Sequence, residues 1–211
     1  MAEAKRRGPS QRFFDVWSFF YDLPPVQRAV YRAEHDIVVE ELDDGAARLL
    51  DVGCGTGLLT TRLRAERPSA DIVGFDFSAG MLDQARGRAP DLPWVRGAAT
   101  RLPFASEAFD AVTCTESFHW YPDQAAAVRE FHRVLRPGGR ALITFVNPPL
   151  QLTSRLVGAA LELTGQPATF PTRAELRAMA EGAGFRVETQ RPVRVFQPLS
   201  GSALTVAVRP A

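Results

Sequence analysis

Apolar and polar positions along this chain follow two periods in turn. Phe13, Phe14, Trp17, Phe20 and Tyr21 recur at helical spacing and predict an amphipathic helix with an aromatic face. Pro24-Pro25 breaks it, and Val26, Val30, Ile37 and Val38 predict a second helix running towards Leu42, ended by Asp43-Asp44-Gly45. Short apolar runs then take over: Arg48 to Val52, Asp71 to Phe75, Trp94 to Arg96, Ala108 to Thr115 and Ala141 to Val146 read as buried strands. Helical segments fall between them. These are Leu58 to Glu66, closed by Pro68; a stretch capped by Ser78 that turns Met81, Leu82 and Ala85 inward; and Asp123 to Leu135, before the turn Pro137-Gly138-Gly139. Beyond Pro148-Pro149 the pattern gives an amphipathic stretch from Leu152 to Leu163 and a loop through Pro167 and Pro171. A helix from Thr172 to Ala183 and strands from Phe185 to Thr189 and Ala203 to Val208 follow.

Strands alternating with helices predict an α/β fold, a doubly wound, mostly parallel sheet of Rossmann-like type, because each crossover between parallel strands needs a covering helix. At 211 residues the chain suits one domain, and a 45% hydrophobic fraction can fill its core. Lys and Arg together number 25 against 24 for Asp and Glu, so no overall field selects nucleic acid or an anionic membrane as partner. Lys5-Arg6-Arg7 reads as a frayed tail rather than a binding patch. Cys54 and Cys114, the only cysteines, have no metal or redox spacing and are expected as free thiols; no metal is expected. With no apolar signal core and no run of ~18 apolar residues, a cytoplasmic protein without integral membrane contact is expected.

The chemistry concentrates where the first strand turns into a helix. Leu49-Leu50-Asp51-Val52-Gly53-Cys54-Gly55-Thr56-Gly57 places three glycines at that turn, which allows positive φ and close approach of a ligand to the backbone. A tight structural turn would look the same. Asp76, at the end of the second strand, is placed to accept both hydroxyl hydrogens of a ribose; alone it would read as a turn or capping residue. A dinucleotide fingerprint wants a small residue where this chain has Leu58. Asp51 would repel a pyrophosphate but attract an α-amino group or a sulfonium, so charge favours S-adenosylmethionine over NAD.

At these residues the chain resembles the class I S-adenosylmethionine-dependent methyltransferases, in particular the broad group that includes the ubiquinone and trans-aconitate methyltransferases. The likeness spans Arg48 to Val146. It rests on the glycine segment at 49–57, on Gly74-Phe75-Asp76-Phe77-Ser78 with Met81-Leu82, on Leu102-Pro103-Phe104 with Phe109-Asp110, and on Leu135-Arg136-Pro137-Gly138-Gly139. It implies a seven-stranded sheet with an antiparallel last strand and the cofactor across the carboxyl ends of the strands. It also implies methionine-moiety contacts from Asp51 and the backbone of Gly53 and Gly55, with Cys54 in the same loop, ribose contacts from Asp76, and adenine flanked by Phe77 and Met81. Gly97-Ala98-Ala99 departs from the family's frequent Gly-Asp-Ala; a carboxylate is missing at Ala98, while the Ala99 amide can still reach an adenine nitrogen.

The fourth strand leaves into Thr115-Glu116-Ser117-Phe118-His119-Trp120-Tyr121, a polar and aromatic run at the edge where α/β enzymes place their chemistry. Thr115 and Ser117 are expected near the methionine moiety and His119 near the acceptor. His119 is the candidate base, with an ordinary pKa near ~6.5; a packing residue is its other reading. Glu116 reads equally as a ligand-orienting group or a surface carboxylate, His35 as a surface histidine and His132 as structural. Phe14, Trp17, Tyr21, Trp120 and Asn147 are candidates for the acceptor pocket, although the same aromatic face can close the core, support a dimer or touch a lipid surface.

The chain is thus expected as one methyltransferase domain. Residues 1–45 form a helical cap, 46–146 the cofactor-binding core, 147–171 a substrate-side insertion, and 172–211 a final helix and strands. As monomer or homodimer it would transfer a methyl group to a small hydrophobic or aromatic molecule, oxygen being the favoured atom. A non-catalytic cofactor-binding module and an NAD(P)-dependent oxidoreductase are the alternatives.

Overall fold

The structure, a computed structural model, describes residues 31–147, 158–163, 168–193 and 201–211. The expected aromatic helix, with Phe14, Trp17 and Tyr21, lies outside the described residues. The described elements are α1 (Arg32–Glu41), β1 (Arg48–Val52), α2 (Leu58–Glu66), β2 (Asp71–Asp76), α3 (Ala79–Arg88), β3 (Trp94–Arg96) and β4 (Phe109–Thr115). They continue with a 3-10 turn (Phe118–Trp120), α4 (Gln124–Val134), β5 (Leu135–Val146), α5 (Arg173–Gly182), β6 (Arg186–Val193) and β7 (Ser202–Val208). Residues 158–163 are also helical.

One sheet holds all seven strands in the order β3-β2-β1-β4-β5-β7-β6. β7 runs antiparallel to both neighbours, while β1 to β5 pair in parallel. Every central strand is apolar on both faces, as a sheet covered by helices on both sides requires. Leu49, Ala111 and Leu142 face one layer, with Val38 of α1 and Leu59 and Leu63 of α2. Their sequence neighbours Leu50, Val112 and Ile143 face the other, with Val128 and Phe131 of α4 and Leu176 of α5. The side-chain period of two thus sorts adjacent residues into two separate cores.

Local signals set the helix starts. The Ser78 hydroxyl accepts from the Met81 amide at 3.2 Å, the Asp123 carboxylate from Ala126 at 2.8 Å, and Thr172 with Glu175 forms a reciprocal capping box. Two boundaries differ from the sequence expectation. β5 begins at Leu135, paired with Phe109, and bulges before resuming at Arg140; the Gly138 amide there donates to Arg209 O at 2.8 Å, so the glycine turn stays in the sheet. β6 runs on to Val193 through Pro192, which an edge strand tolerates because its missing N–H can face outward. On α1, Asp36 keeps a solvent-exposed ion pair with Arg62, but its neighbours do not lie on the surface. Glu34 is buried against the sheet, and His35 is half-buried, its pKa lowered to about 4 by burial and by Arg62. His132 sits edge-on to Phe185, in a packing position. No helix among the described residues is long and apolar enough to cross a membrane.

Candidate functional site

The chain winds from β1 towards β3 on one side of the sheet and from β4 towards β6 on the other, so a crevice opens at the carboxyl ends of the adjacent strands β1 and β4. The glycine loop lines one wall of it. The Gly53 and Cys54 amides both donate to Phe75 O at the end of β2, at 2.7 and 3.1 Å. Gly53, Gly55 and Gly57 adopt φ of 74°, 55° and 79°, the left-handed region that side chains disfavour. At Gly57 a Cβ would also overlap the Trp94 ring and stand 3.1 Å from Ala85, and at Gly53 it would overlap the Ser117 side chain, so neither position has room for a side chain. Cys54 is half-buried in this loop, its thiol pushed well above the usual range by burial and by Asp76 and Asp51.

Asp76 ends β2 with 6% of its surface exposed. One carboxylate oxygen accepts from the Gly55 amide at 2.9 Å and the other from the Ser78 amide at 2.8 Å. A carboxylate has about four lone-pair sites, and with Phe77 as a third backbone donor about one is left for a ligand hydroxyl. Burial raises its pKa, while the backbone donors Ser78, Gly55 and Phe77 oppose that rise. Phe77, half-buried, and Met81, buried, follow on the segment leaving β2, and exposed Ala98 with buried Ala99 follow β3. The Gly97 amide donates to Asp76 O at 3.0 Å, which joins the two segments.

Asp51 lies beneath the loop and is only 1% exposed. Its oxygens accept from Thr60 Oγ1 at 2.6 Å and Thr113 Oγ1 at 2.9 Å. Burial raises its pKa to about 6 against the pull of those hydroxyls, so at neutral pH it is mostly a carboxylate. What it offers the crevice is a fixed negative charge under the loop. Sequence reading found Asp51 but not Thr60 or Thr113, which reach it from α2 and β4.

On the β4 side, Thr115 is half-buried with its Oγ1 enclosed and without a partner. Ser117 and Tyr121 turn back on β1, each hydroxyl 3.3 Å from Val52 O. His119, 7% exposed, stacks on Phe170 with ring centroids 5.2 Å apart and lies 4.9 Å from the Trp120 ring. The Thr169 amide donates to His119 O at 2.8 Å, and the Gln124 side chain donates to both Phe118 O and Thr169 O, at 3.1 and 2.7 Å. The segment before α5 is thereby clamped to the turn after β4. Phe170 and Gln124 had no periodicity or motif to reveal them. Burial lowers the His119 pKa to about 3, well below the value expected of a base, and its Nδ1 is enclosed without a partner. A ring so reluctant to take a proton is a poor acceptor for one from a phenol near ~10.

Glu116 is half-buried at φ 50° and is not a surface carboxylate. Ser202 Oγ stands 2.5 Å from a Glu34 oxygen and 2.9 Å from a Glu116 oxygen, and the two carboxyls hydrogen-bond each other. Thr144 donates to Glu34 at 3.3 Å. A hydroxyl has one proton to donate, so one of the two glutamates must be the neutral acid. Asn147, half-buried, follows β5 beside this pair of strands, its amide donating to Gly201 O at 2.6 Å.

A positive-φ glycine turn, a carboxylate with a free acceptor site and a buried negative charge suit a nucleoside that carries a cationic sulfur. They do not suit a pyrophosphate, which Asp51 would repel. Comparison with known proteins agrees. The family described as "Methyltransferase domain" matches residues 50–143. The demethylmenaquinone methyltransferase of Thermus thermophilus is 34% identical over 194 residues, 81% of this chain and 84% of that protein. The ubiquinone/menaquinone biosynthesis C-methyltransferase of Desulfotalea psychrophila is 29% identical, covering 85% of this chain and 83% of its own. The match spans only 52% of the Deinococcus radiodurans demethylmenaquinone methyltransferase, at 39% identity. Among solved structures, a putative methyltransferase of Haloferax volcanii, in complex with a Trm112 activator, superposes with a TM-score of 0.78 over 94% of this chain and 98% of that one, at 23% identity; this likeness concerns the fold. The chain belongs to the class I S-adenosylmethionine-dependent methyltransferases and is related to those of ubiquinone and menaquinone biosynthesis.

Proposed function

We propose that this methyltransferase acts on a small, apolar hydroxyaromatic molecule of quinol type and places the methyl group on its ring. The observation that carries this reading is the aromatic group of Phe170, His119 and Trp120 on the turn after β4, which Gln124 clamps to the segment before α5. Flat aromatic rings pack well against such a wall. The names of the Thermus and Desulfotalea relatives support a quinone precursor, and that of the Desulfotalea protein, a C-methyltransferase, turns the expected target atom from oxygen to carbon.

Cofactor roles follow the crevice. Asp76 takes a ribose hydroxyl, Phe77, Met81, Ala98 and Ala99 border the adenine, and Gly53, Cys54 and Gly55 line the methionine moiety with Thr115. Asp51 supplies charge from below. When bound, the cofactor would provide an electrophilic methyl on a sulfonium; a ring C–methyl bond replaces the S–methyl bond, the displaced ring proton passes to water, and transfer needs an acceptor atom held in line ~3 to 3.5 Å away. Positioning is then the protein's main contribution. His119, neutral across the physiological range, orients rather than deprotonates.

Incubation with methyl-labelled S-adenosylmethionine and a short-chain demethylmenaquinol, followed by product NMR, tests the reading. A new ring C-methyl is expected. A methoxy product would return the target to oxygen, and no turnover of any hydroxyaromatic would overturn the acceptor class.

A further inference from the structure

Three polar side chains outside the family's motifs converge on the first turn of the glycine loop. Ser117 Oγ and Tyr121 Oη are 2.9 Å apart, and each is 3.3 Å from Val52 O. Cys114 Sγ lies 3.2 Å from the serine and 3.4 Å from the tyrosine. A Cβ on Gly53 would stand 3.0 Å from Tyr121 Oη, so phenol and loop backbone are in contact. The Tyr121 ring packs edge-on against fully buried Phe118, centroids 5.7 Å apart, which fixes the hydroxyl's direction.

The cluster holds more acceptor capacity than protons. Cys114, Ser117 and Tyr121 bring one proton each, whereas Val52 O, Ser117 Oγ and Tyr121 Oη each have two lone pairs. Once the three protons are placed, lone pairs are left on the oxygens. The groups also stay neutral: burial and the neighbouring thiol push the Tyr121 phenol well above its usual range, and burial pushes the Cys114 thiol up to about 12. The result is an electron-rich but uncharged surface, with the Asp51 carboxylate in the strand below.

Its place relative to Asp76 selects what it meets. In the order β3-β2-β1-β4, Asp76 ends β2 on one side of the loop, and the cluster joins β1 to the segment after β4 on the other. With the ribose at Asp76, the adenine lies towards β3 and the sulfur end towards β4. We propose that Tyr121 is a cofactor-binding residue whose hydroxyl, with that of Ser117, faces the sulfonium end of S-adenosylmethionine. The inference rests on the cofactor placement proposed above. Sulfonium-bound methyl hydrogens are polarised, and neutral oxygens can hold them through C–H···O contacts without competing for the methyl group. The product S-adenosylhomocysteine has no such charge, so the contact distinguishes the two.

Calorimetric titration of the whole chain with S-adenosylmethionine and with S-adenosylhomocysteine tests this. Tyr121→Phe keeps the ring packing and removes only the hydroxyl. It is expected to weaken S-adenosylmethionine about three- to fivefold, the scale of one C–H···O contact, and to leave S-adenosylhomocysteine affinity unchanged. Ser117→Ala should show the same preference at smaller size, and carries the comparison if the tyrosine variant does not fold. Equal loss for both ligands, or no loss for either, overturns the proposal and leaves the cofactor assignment standing. Failure of the unaltered protein to bind either ligand overturns both.

Discussion

Gly55 and Asp76 stand 21 residues apart in sequence and are joined by a 2.9 Å hydrogen bond from the glycine amide to the carboxylate. One side chain thus fixes the glycine loop and, in the placement proposed above, also meets the ribose. Asp76→Ala should lower S-adenosylhomocysteine affinity by about 100-fold, since it removes charged hydrogen bonds and frees the loop. Calorimetry giving less than about fivefold would remove Asp76 from the site.

Asp51 carries a pKa of about 6 in the folded protein. A bound cation favours its ionised form, so affinity for S-adenosylmethionine should rise with pH through that value. Between pH 5 and 7 the gain should approach about tenfold. Asp51→Asn should flatten the dependence; an unchanged slope in that variant would locate the titrating group elsewhere.

His119, with its pKa near 3, should contribute no limb to turnover between pH 5.5 and 8 at saturating cofactor. His119→Asn should keep the profile's shape while changing KM for the acceptor. Loss of an acidic limb near 6.5 in this variant would restore His119 as the base.

Burial raises the Glu34 pKa well above its usual 4.5, with Glu116 adding to the rise. A carboxyl raised in the folded state contributes stability that is full below 4.5 and is lost as pH climbs through the folded value. Thermal midpoints should therefore fall more steeply with rising pH in the native chain than in Glu34→Gln. Parallel curves would show that the pair does not share a proton.

Gln124 donates two hydrogen bonds that tie Phe118 to Thr169. Gln124→Leu should cost about 1 to 3 kcal/mol by leaving those carbonyls unpaired. It should also raise KM for the aromatic acceptor with little change in S-adenosylhomocysteine affinity. If acceptor KM stayed constant, the clamp would be structural only.

Much of the fold was legible because its signals are local. A run such as Leu49-Leu50-Asp51-Val52 followed by glycines forces a buried strand and a sharp turn, and Ser78, Asp123 and Thr172 announce their helices through caps one turn long. The boundaries that moved depend on partners far along the chain. The strand expected to end at Thr189 runs on through Pro192 because β7 pairs with it, and Gly138 reads as a turn until Arg209 bonds it.

By itself the sequence determined the sheet, the glycine loop and the two carboxylates Asp51 and Asp76, since each follows from periodicity, from φ requirements or from motif spacing. Tertiary structure alone decided what those groups are able to do. Thr60 and Thr113 enclose Asp51, Phe170 converts His119 from a prospective base into a neutral wall, and Glu34 crosses 82 positions to share a proton with Glu116. Ionisation and burial depend on every neighbour in space, and for these residues the neighbours come from other strands and helices.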